Sequence, residues 1–386
     1  MSWTWEPLPL LSPPTAYDAQ AGALLDAHRR GDPGAIRLFH ERHPRFLDPV
    51  VTWKPRRLAP DEIAAAALDL DDARLALARR YSFRDWEALS ALVADVLRDA
   101  SPVQQFELAV EAVVSGDLDA LDRLLDAHPD LVRARSTRVT PHDPPAHGAT
   151  LLHYLAANGV EGHRQVSPPN AVAVAQRLFD AGADPDALAA MYGGTCPTLP
   201  MLVSSTPPAE AGVQVPLVHA LIDAGADVEG GGEGSWRSAL TTALVFGFTA
   251  AADALVSRGA RVDRLVTAAG LGRLAAVDGF LPGATAADRH AAFALAAQLG
   301  HVEVVRRLLD AGELPDRRNP DGFHAHATPL HQAAIGGHLA VVELLVDRGA
   351  RLDIRDTLWD GTPLGWAEYG QRPAVAAYLR ARTAPP

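Results

Sequence analysis

The fold class this sequence predicts is an all-α solenoid of stacked helix–turn–helix repeats, and three observations predict it. The first is one unbroken stretch, TPLHQAAIGGHLAVVELLVDRGARLD at 328–353. Thr328-Pro329-Leu330-His331 starts a helix, Ala333 and Ala334 leave room for a neighbouring helix, Gly337 breaks the chain, and a second helix follows. The second is a stripe in that second helix: Val342, Leu345 and Val346 stand seven, four and three residues before Gly349, the spacing of one apolar face. Gly349 ends the helix, because a left-handed C-cap residue is easiest without a Cβ. The third is recurrence. Apolar residues fall at the same offsets before Gly182 (Ala175, Leu178, Phe179), Gly225 (Val218, Leu221, Ile222), Gly259 (Ala252, Leu255, Val256) and Gly312 (Val305, Leu308, Leu309). Glycine spacings of 43, 34, 53 and 37 keep a period of roughly 33, with insertions and one doubled interval that hides a short repeat at 267–281. TPLGWAEYGQRPAVAAYLRAR at 362–382 restarts the pattern and then ends, as a capping repeat does. About seven to eight repeats are expected.

Taken in order, residues 1–15 are proline-rich and predict a disordered or extended leader. Residues 16–100 read as a helical module without the repeat template, with helices expected at 17–30, 33–43, 61–79 and 83–98. Ser82 and Asp85 resemble a capping box ahead of the last of these. The repeat domain runs from 101 to 386. Ser101-Pro102-Val103-Gln104 opens it, with Ser as N-cap and Pro at the first helical position. The helix pair 102–114 and 118–127 is split by Ser115-Gly116-Asp117. The next repeat carries an insertion at 160–169; a second insertion, 204–214, follows Met191-Tyr192-Gly193-Gly194, which replaces the usual loop.

Several of these segments carry a resemblance. TLLHYLAANGVEGHRQ at 150–165, MYGG at 191–194, STPPAEAGVQ at 205–214 and GFHAHATPLHQA at 322–333 stand beside LALARRYSFRDWEALSALV of the helical module. In these the chain resembles a family of bacterial ankyrin-repeat domain-containing proteins, over almost its whole length. The resemblance implies an ankyrin solenoid with an N-terminal helical cap, in which Phe83 and Trp86 wedge between helices. It implies architecture and no reaction.

Composition bounds the function. At 386 residues the chain is long for one core, a limit that a solenoid escapes by burying repeat against repeat. The net charge of -12 argues against a phosphate-backbone partner, so no nucleic acid is expected. The basic run Arg42, Arg45, Lys54, Arg56 and Arg57 is interleaved with acids and reads as a solvated face. One cysteine, Cys196, excludes an internal disulfide and a multi-Cys zinc site. The opening MSWTWEPLPLLSPP lacks a basic leader, and no apolar run reaches a membrane span, so a cytoplasmic location and no membrane partner are expected. Lysine occurs once, at Lys54, among many Arg and Ala, as a GC-rich bacterial genome encodes.

The position after the TPLH-type histidine is expected on the concave face: Tyr154, Thr242, Thr267, Leu295, Gln332 and Trp366. Aromatics at both ends suit an extended peptide, with Trp359 nearby in the last loop; the plain alternative is exposed inner-helix residues and no ligand. The densest polar cluster is the first insertion, with Asn158, Glu161, His163, Arg164, Gln165 and Asn170 facing Tyr192. Such a loop suits a small polar ligand; equally, its Arg and Glu pair only to hold the loop down. His324, His326 and His331 invite a metal, yet His331 and His153 stand where the TPLH imidazole bonds loop backbone, and no metal or other cofactor is expected. Cys196, Ser204 and Ser205 show no triad spacing to a histidine. The run EGGGEGSW at 229–236 lacks the Gly-Lys-Ser/Thr of a phosphate loop and reads as a loop tip. The sequence thus predicts a monomeric scaffold, without a recognisable catalytic motif, that binds a protein or peptide on its concave face. The alternative is a small-molecule-binding protein or enzyme with a pocket formed by the 158–165, 191–194 and 322–331 loops.

Overall fold

Capping chemistry sets most helix boundaries in the computed structural model, which describes residues 3–157, 159–236 and 238–383. It forms two units, 1–237 and 238–386.

The first unit begins with an extended leader docked on the helices that follow. Trp3 N–H donates to Asp32 (2.8 Å), Leu8 N–H to the Tyr81 hydroxyl (2.9 Å), and the Arg80 guanidinium stacks 3.9 Å from the Trp5 ring. Then come α1 (Pro14–Arg29), α2 (Pro33–Arg42), α3 (Pro60–Ala64), α4 (Leu70–Arg80) and α5 (Trp86–Val96), packed around Leu24, Phe39, Ile63, Leu77 and Phe83. The single helix expected over 61–79 is two. Asp69 N-caps α4, accepting from Asp71 and Asp72 N–H, while the Asp72 carboxylate accepts from Asp69 N–H; this reciprocal box forces a new start. Ser82 is not the cap of α5 either. Its φ is +66°, Asp85 takes the cap by accepting from Ala88 N–H, and the Ser82 hydroxyl accepts instead from Gly162 N–H (3.0 Å).

Helix pairs follow: α6 (Pro102–Ser115) with α7 (Leu118–Ala127), and α8 (Leu151–Leu155) with α9 (Ala171–Asp180). A hairpin of β1 (Ala189–Met191) and β2 (Gly194–Cys196) comes next, in register Ala189↔Cys196 and Met191↔Gly194. Then come α10 (Thr198–Leu202), the inserted α11 (Thr206–Glu210), and α12 (Gln214–Asp223). The stretch expected as a bare loop at 191–194 is therefore a β-turn. Tyr192 and Gly193 both have positive φ (50° and 74°), as a two-residue hairpin requires. The glycine-rich 229–236 segment lies against this hairpin: Glu233 N–H donates to Thr195 O, and a Cβ on Gly194 would meet Glu233 O at 2.7 Å.

In the second unit the pairs are α13 (Ala239–Val245) with α14 (Thr249–Ser257), α15 (Leu265–Gly270) with α16 (Leu274–Phe280), and α17 (Ala286–Gln298) with α18 (Val302–Asp310). They continue with α19 (Pro329–Gly336) and α20 (Leu339–Asp347), then α21 (Pro363–Tyr369) and α22 (Pro373–Thr383). The inner helices α15, α17, α19 and α21 pack side by side, as do the outer helices α16, α18, α20 and α22. All five template glycines are left-handed, with φ from 88° to 104°. The apolar stripe keeps two of its three expected positions, seven and four before the glycine, and exchanges the third. Residues eight, seven and four before each glycine are buried, as in Val341, Val342 and Leu345, whereas the residue three before is half-buried in four of the five helices.

Side chains also staple several repeats to the one before. His301 Nε2 donates to Gly270 O (2.8 Å), His338 Nε2 to Gln298 O (2.9 Å), and Arg372 Nε to Ile335 O (2.8 Å). In the first unit Asn170 Nδ2 does the same to Gly116 O (2.8 Å).

Candidate functional site

The residues of the first insertion fold inward. Asn158 lies outside the described residues. Glu161 is 0% exposed and Arg164 is 4% exposed, and they pair (Nη1–Oε2 3.3 Å) inside a larger buried cluster. Arg138, from the strand-like segment before α8, donates through Nη2 to Glu107 of α6 (2.8 Å) and lies 3.4 Å from Glu161 through Nε. Arg164 Nη2 reaches both Glu107 and Glu111 at 2.7 Å. His147 Nε2 lies 3.0 Å from Glu161 Oε1, and the Tyr154 hydroxyl donates to the same oxygen at 2.6 Å. The Arg138 guanidinium also stacks 4.8 Å from the Phe83 ring.

Such a cluster holds together only when its charges compensate, because stranding one partner leaves an ion in a poorly solvating interior. Burial alone would raise the Glu161 carboxyl; Arg138, the His147 bond and Arg164 outweigh it and hold the group well below the usual carboxylate range. Burial, then repulsion from Arg138 and Arg164, keeps the His163 imidazole neutral well below its usual range.

This geometry corrects the concave-face expectation for Tyr154, which is 1% exposed with its ring against Phe106. Thr242, Thr267, Leu295 and Gln332 are buried too. The physical reason is the close approach of the inner helices: a Cβ on Gly270 would meet Leu295 Cδ2 at 2.7 Å and Leu244 Cδ1 at 2.9 Å. The position after the histidine therefore faces the next helix. Gln165 is half-buried. Tyr192 is half-exposed, but its hydroxyl donates to Gly159 O, and a Cβ on Gly159 would stand 3.0 Å from the Tyr192 hydroxyl oxygen, so the two first-unit loops close on each other. A cavity of about 460 Å³ opens beside the ion cluster, and of the loops expected to form a pocket only 158–165 lines it, through His163 and Arg164.

In the second unit the loops before α19 and α21 meet. Thr357 N–H donates to His326 O (2.9 Å), and the His326 ring stands 5.7 Å from Trp366. His324 Nε2 reaches Val245 O (3.1 Å). His331 accepts at Nδ1 from Thr328 N–H (3.3 Å), which leaves Nε2 to donate to Gly361 O (3.1 Å). His153 repeats this, from Thr150 N–H (3.2 Å) to Cys196 O (3.1 Å). The buried Asp356 carboxylate accepts from Leu358 N–H (2.9 Å), Trp359 N–H (2.5 Å), Gly361 N–H (2.7 Å) and Trp366 Nε1 (3.0 Å). The loop so fixed presents Trp359, 49% exposed.

A family profile described as ankyrin repeats (3 copies) matches residues 265–356 and 293–382. Cyclin-dependent kinase inhibitor 2A from Homo sapiens is 35% identical over 23% of this chain and 74% of its own length. Cyclin-dependent kinase 4 inhibitor B from Bos taurus is 34% identical over 22% of this chain and 87% of its own. The chain belongs to the ankyrin-repeat family. A further ankyrin relative, cyclin-dependent kinase inhibitor 2A from Monodelphis domestica, is 38% identical over 21% of this chain, and the chain spans 46% of that protein's length. The matched residues include the TPLH histidine His331 and the staples from His301, His338 and Arg372. Glu107, Arg138 and His147, which sequence reading missed, lie outside the matched residues. The one local signal was Glu107 itself, an acid beside Phe106 and Val110 on the buried face of α6.

Proposed function

We propose that this ankyrin-repeat protein is an interaction scaffold that holds a protein or peptide partner on the second unit, with Trp359, Trp366, His324 and His326 as contact residues. The observation that carries the reading is the Asp356-braced loop, which fixes an exposed indole before any partner arrives. Tryptophan is enriched among binding hot spots, and preorganisation lowers the ordering cost of association. Stacked ankyrin repeats supply the extended surface. The related proteins support the class, since their names describe inhibitors of a kinase, itself a protein; no kinase is assigned to this chain.

The same reading takes residues 1–15 as a leader, 16–100 as an N-terminal helical cap, and 101–386 as the repeat domain. It counts eight repeats, from the α6/α7 pair to α21/α22 with α11 as an insertion, in a cytoplasmic monomer of the bacterial ankyrin-repeat family. Among the described residues no helix is long and apolar enough to cross a membrane.

The test is peptide-library selection on the purified protein, followed by affinity measurement. Trp359→Ala should weaken selected peptides by about 30-fold or more, as loss of a hot spot does, while Val50→Ser, on an exposed first-unit loop, should change nothing. Equal binding by Trp359→Ala would sink the assignment.

A further inference from the structure

The outer-helix layer of the repeats has an open flank at α7. LDALDRLLDAH at 118–128, which holds α7, aligns without a gap with VEVVRRLLDAG at 302–312 and puts His128 where the template glycine Gly312 stands. In the five glycine-ended outer helices the residues eight and four before the glycine are 2% exposed or less, as in Val304 and Leu308 or Val341 and Leu345. In α7 the same positions, Ala120 and Leu124, are only half-buried. The flank of α7 toward α9 is taken, with Arg177 pairing to Asp122 and, at 3.1 Å, to Asp126. The other flank borders a groove of about 440 Å³, floored by Leu108 and Ala112 of α6 with Ala120 and Leu124 of α7. The module at 16–100 packs on α6 through α5 and, among the described residues, contributes nothing to this lining.

A second observation shows which side of the pair this is. His301 and His338, each directly after a left-handed glycine, reach back to a carbonyl of the preceding repeat. Asp117 directly follows the left-handed Gly116 and lines the groove. The groove therefore stands where α18, α20 and α22 each receive the outer helix before them. Its two ends differ in charge. Glu111, exposed although paired with Arg164 (2.7 Å), and Asp117 lie where α7 starts, whereas Arg123 and His128 lie toward its last turn. A helix laid parallel to α7, as successive outer helices of a repeat stack lie, would set its positive N-terminal end against the two carboxylates and its negative C-terminal end toward Arg123 and His128.

We propose that this groove docks an amphipathic helix of a protein partner, parallel to α7 and about ten residues long like the outer helices themselves. Its apolar stripe, at i, i+3, i+4 and i+7, covers Leu108, Ala120 and Leu124, and a lysine or arginine in its first turn faces Glu111 and Asp117. The surface belongs to the first unit alone and does not depend on the reading of Trp359.

The experiment displays a library of peptides of about 14 residues on phage, with leucine or alanine fixed at i, i+3, i+4 and i+7 and the other positions varied. The library is selected on the full chain, and recovered peptides are measured by fluorescence anisotropy. Helical peptides with a basic first turn are expected. Leu108→Arg and Ala120→Arg, which put a charge into the groove, should each weaken them about tenfold or more with unchanged circular dichroism; if one does not fold, the other decides. Asp117→Asn, which keeps an acceptor for Ala120 N–H, should weaken them about threefold and reduce the salt dependence. An empty pool, or one in which no peptide is weakened by the groove variants, overturns the site. Peptides that keep their affinity with a central proline overturn the helical class. Full-chain dimers in sedimentation equilibrium that Leu108→Arg dissociates assign the groove to a second copy and overturn the partner.

Discussion

In the second unit neighbouring helices meet through alanine and glycine: Ala268 and Ala269 of α15, Ala292 and Ala296 of α17, Ala333 and Ala334 of α19, all fully buried. In the first unit the corresponding space between α6 and α8 holds Glu107, Tyr154, Arg138, Glu161 and Arg164. The contrast teaches what an insertion entails in a repeat stack. Where the template is kept, small side chains and backbone staples suffice. Once ten extra residues fold back over the stack, long side chains and loop backbone are enclosed, and they persist only in mutually compensating sets.

Breaking that compensation should give the largest effect. Glu161→Ala takes the bonded carboxylate from His147 and Tyr154 and leaves Arg138 and Arg164 with Glu107 and Glu111 alone, and should cost about 3–5 kcal/mol in urea unfolding; a loss below about 1 kcal/mol would show that the cluster is not what holds the insertion. Leu345→Ala, in the alanine-lined second unit, should cost about 3 kcal/mol through cavity formation alone. The two variants sharpen the comparison further when ionic strength and pH are varied, because only the first replaces a charge.

Acid provides the next test. Burial lowers His153 to about 4 and lowers His163 and His331 as well. Each folded value lies below the unfolded one, so at mildly acid pH the unfolded chain binds protons that the folded chain refuses. Stability is therefore complete above about pH 6.5 and falls as pH drops toward the folded values. His153 alone should remove about 2–3 kcal/mol by pH 4, and Glu161 and Glu107, both depressed, add to the loss below the usual carboxylate range. His153→Gln, which retains an acceptor and a donor, should flatten the pH dependence of the urea midpoint; an unchanged slope would show that His153 does not titrate this way.

The smallest effects are in the backbone. Gly259 has φ +104° with open space around its missing Cβ, so Gly259→Ala should cost about 1–2 kcal/mol from conformation alone. Gly22, within α1 and equally open, should do the opposite, with Gly22→Ala stabilising by about 0.4–1 kcal/mol. A like sign for both in thermal unfolding would contradict the template reading.

Much of the second unit was legible because its information is local: a Thr-Pro start, an apolar face, a left-handed glycine. The same held for Ser101, whose hydroxyl accepts from Gln104 N–H as its position suggests. Legibility failed where a residue's role is set by a distant one. Nothing near Asp69 announces a second helix start except its own carboxylate. Glu161 and Arg164 are visibly spaced to pair, but Glu107, Arg138 and His147 come from three other segments whose meeting is fixed by packing. Gly194 and the 229–236 glycines read as two separate loops, although a Cβ on Gly194 would meet Glu233 O at 2.7 Å.

The staples run one way along the chain. In each of His301, His338, Arg372 and Asn170 the donor belongs to the later repeat and the acceptor carbonyl to the earlier one. During synthesis the earlier repeat leaves the ribosome first, with nothing worse at its growing edge than a carbonyl that water satisfies. The donor that will claim it is still unmade. At these four positions assembly can thus advance repeat by repeat behind the ribosome, each newcomer fastening its predecessor, whereas His153 and His331 wait with their donors for the carbonyls of Cys196 and Gly361 in the repeat that follows.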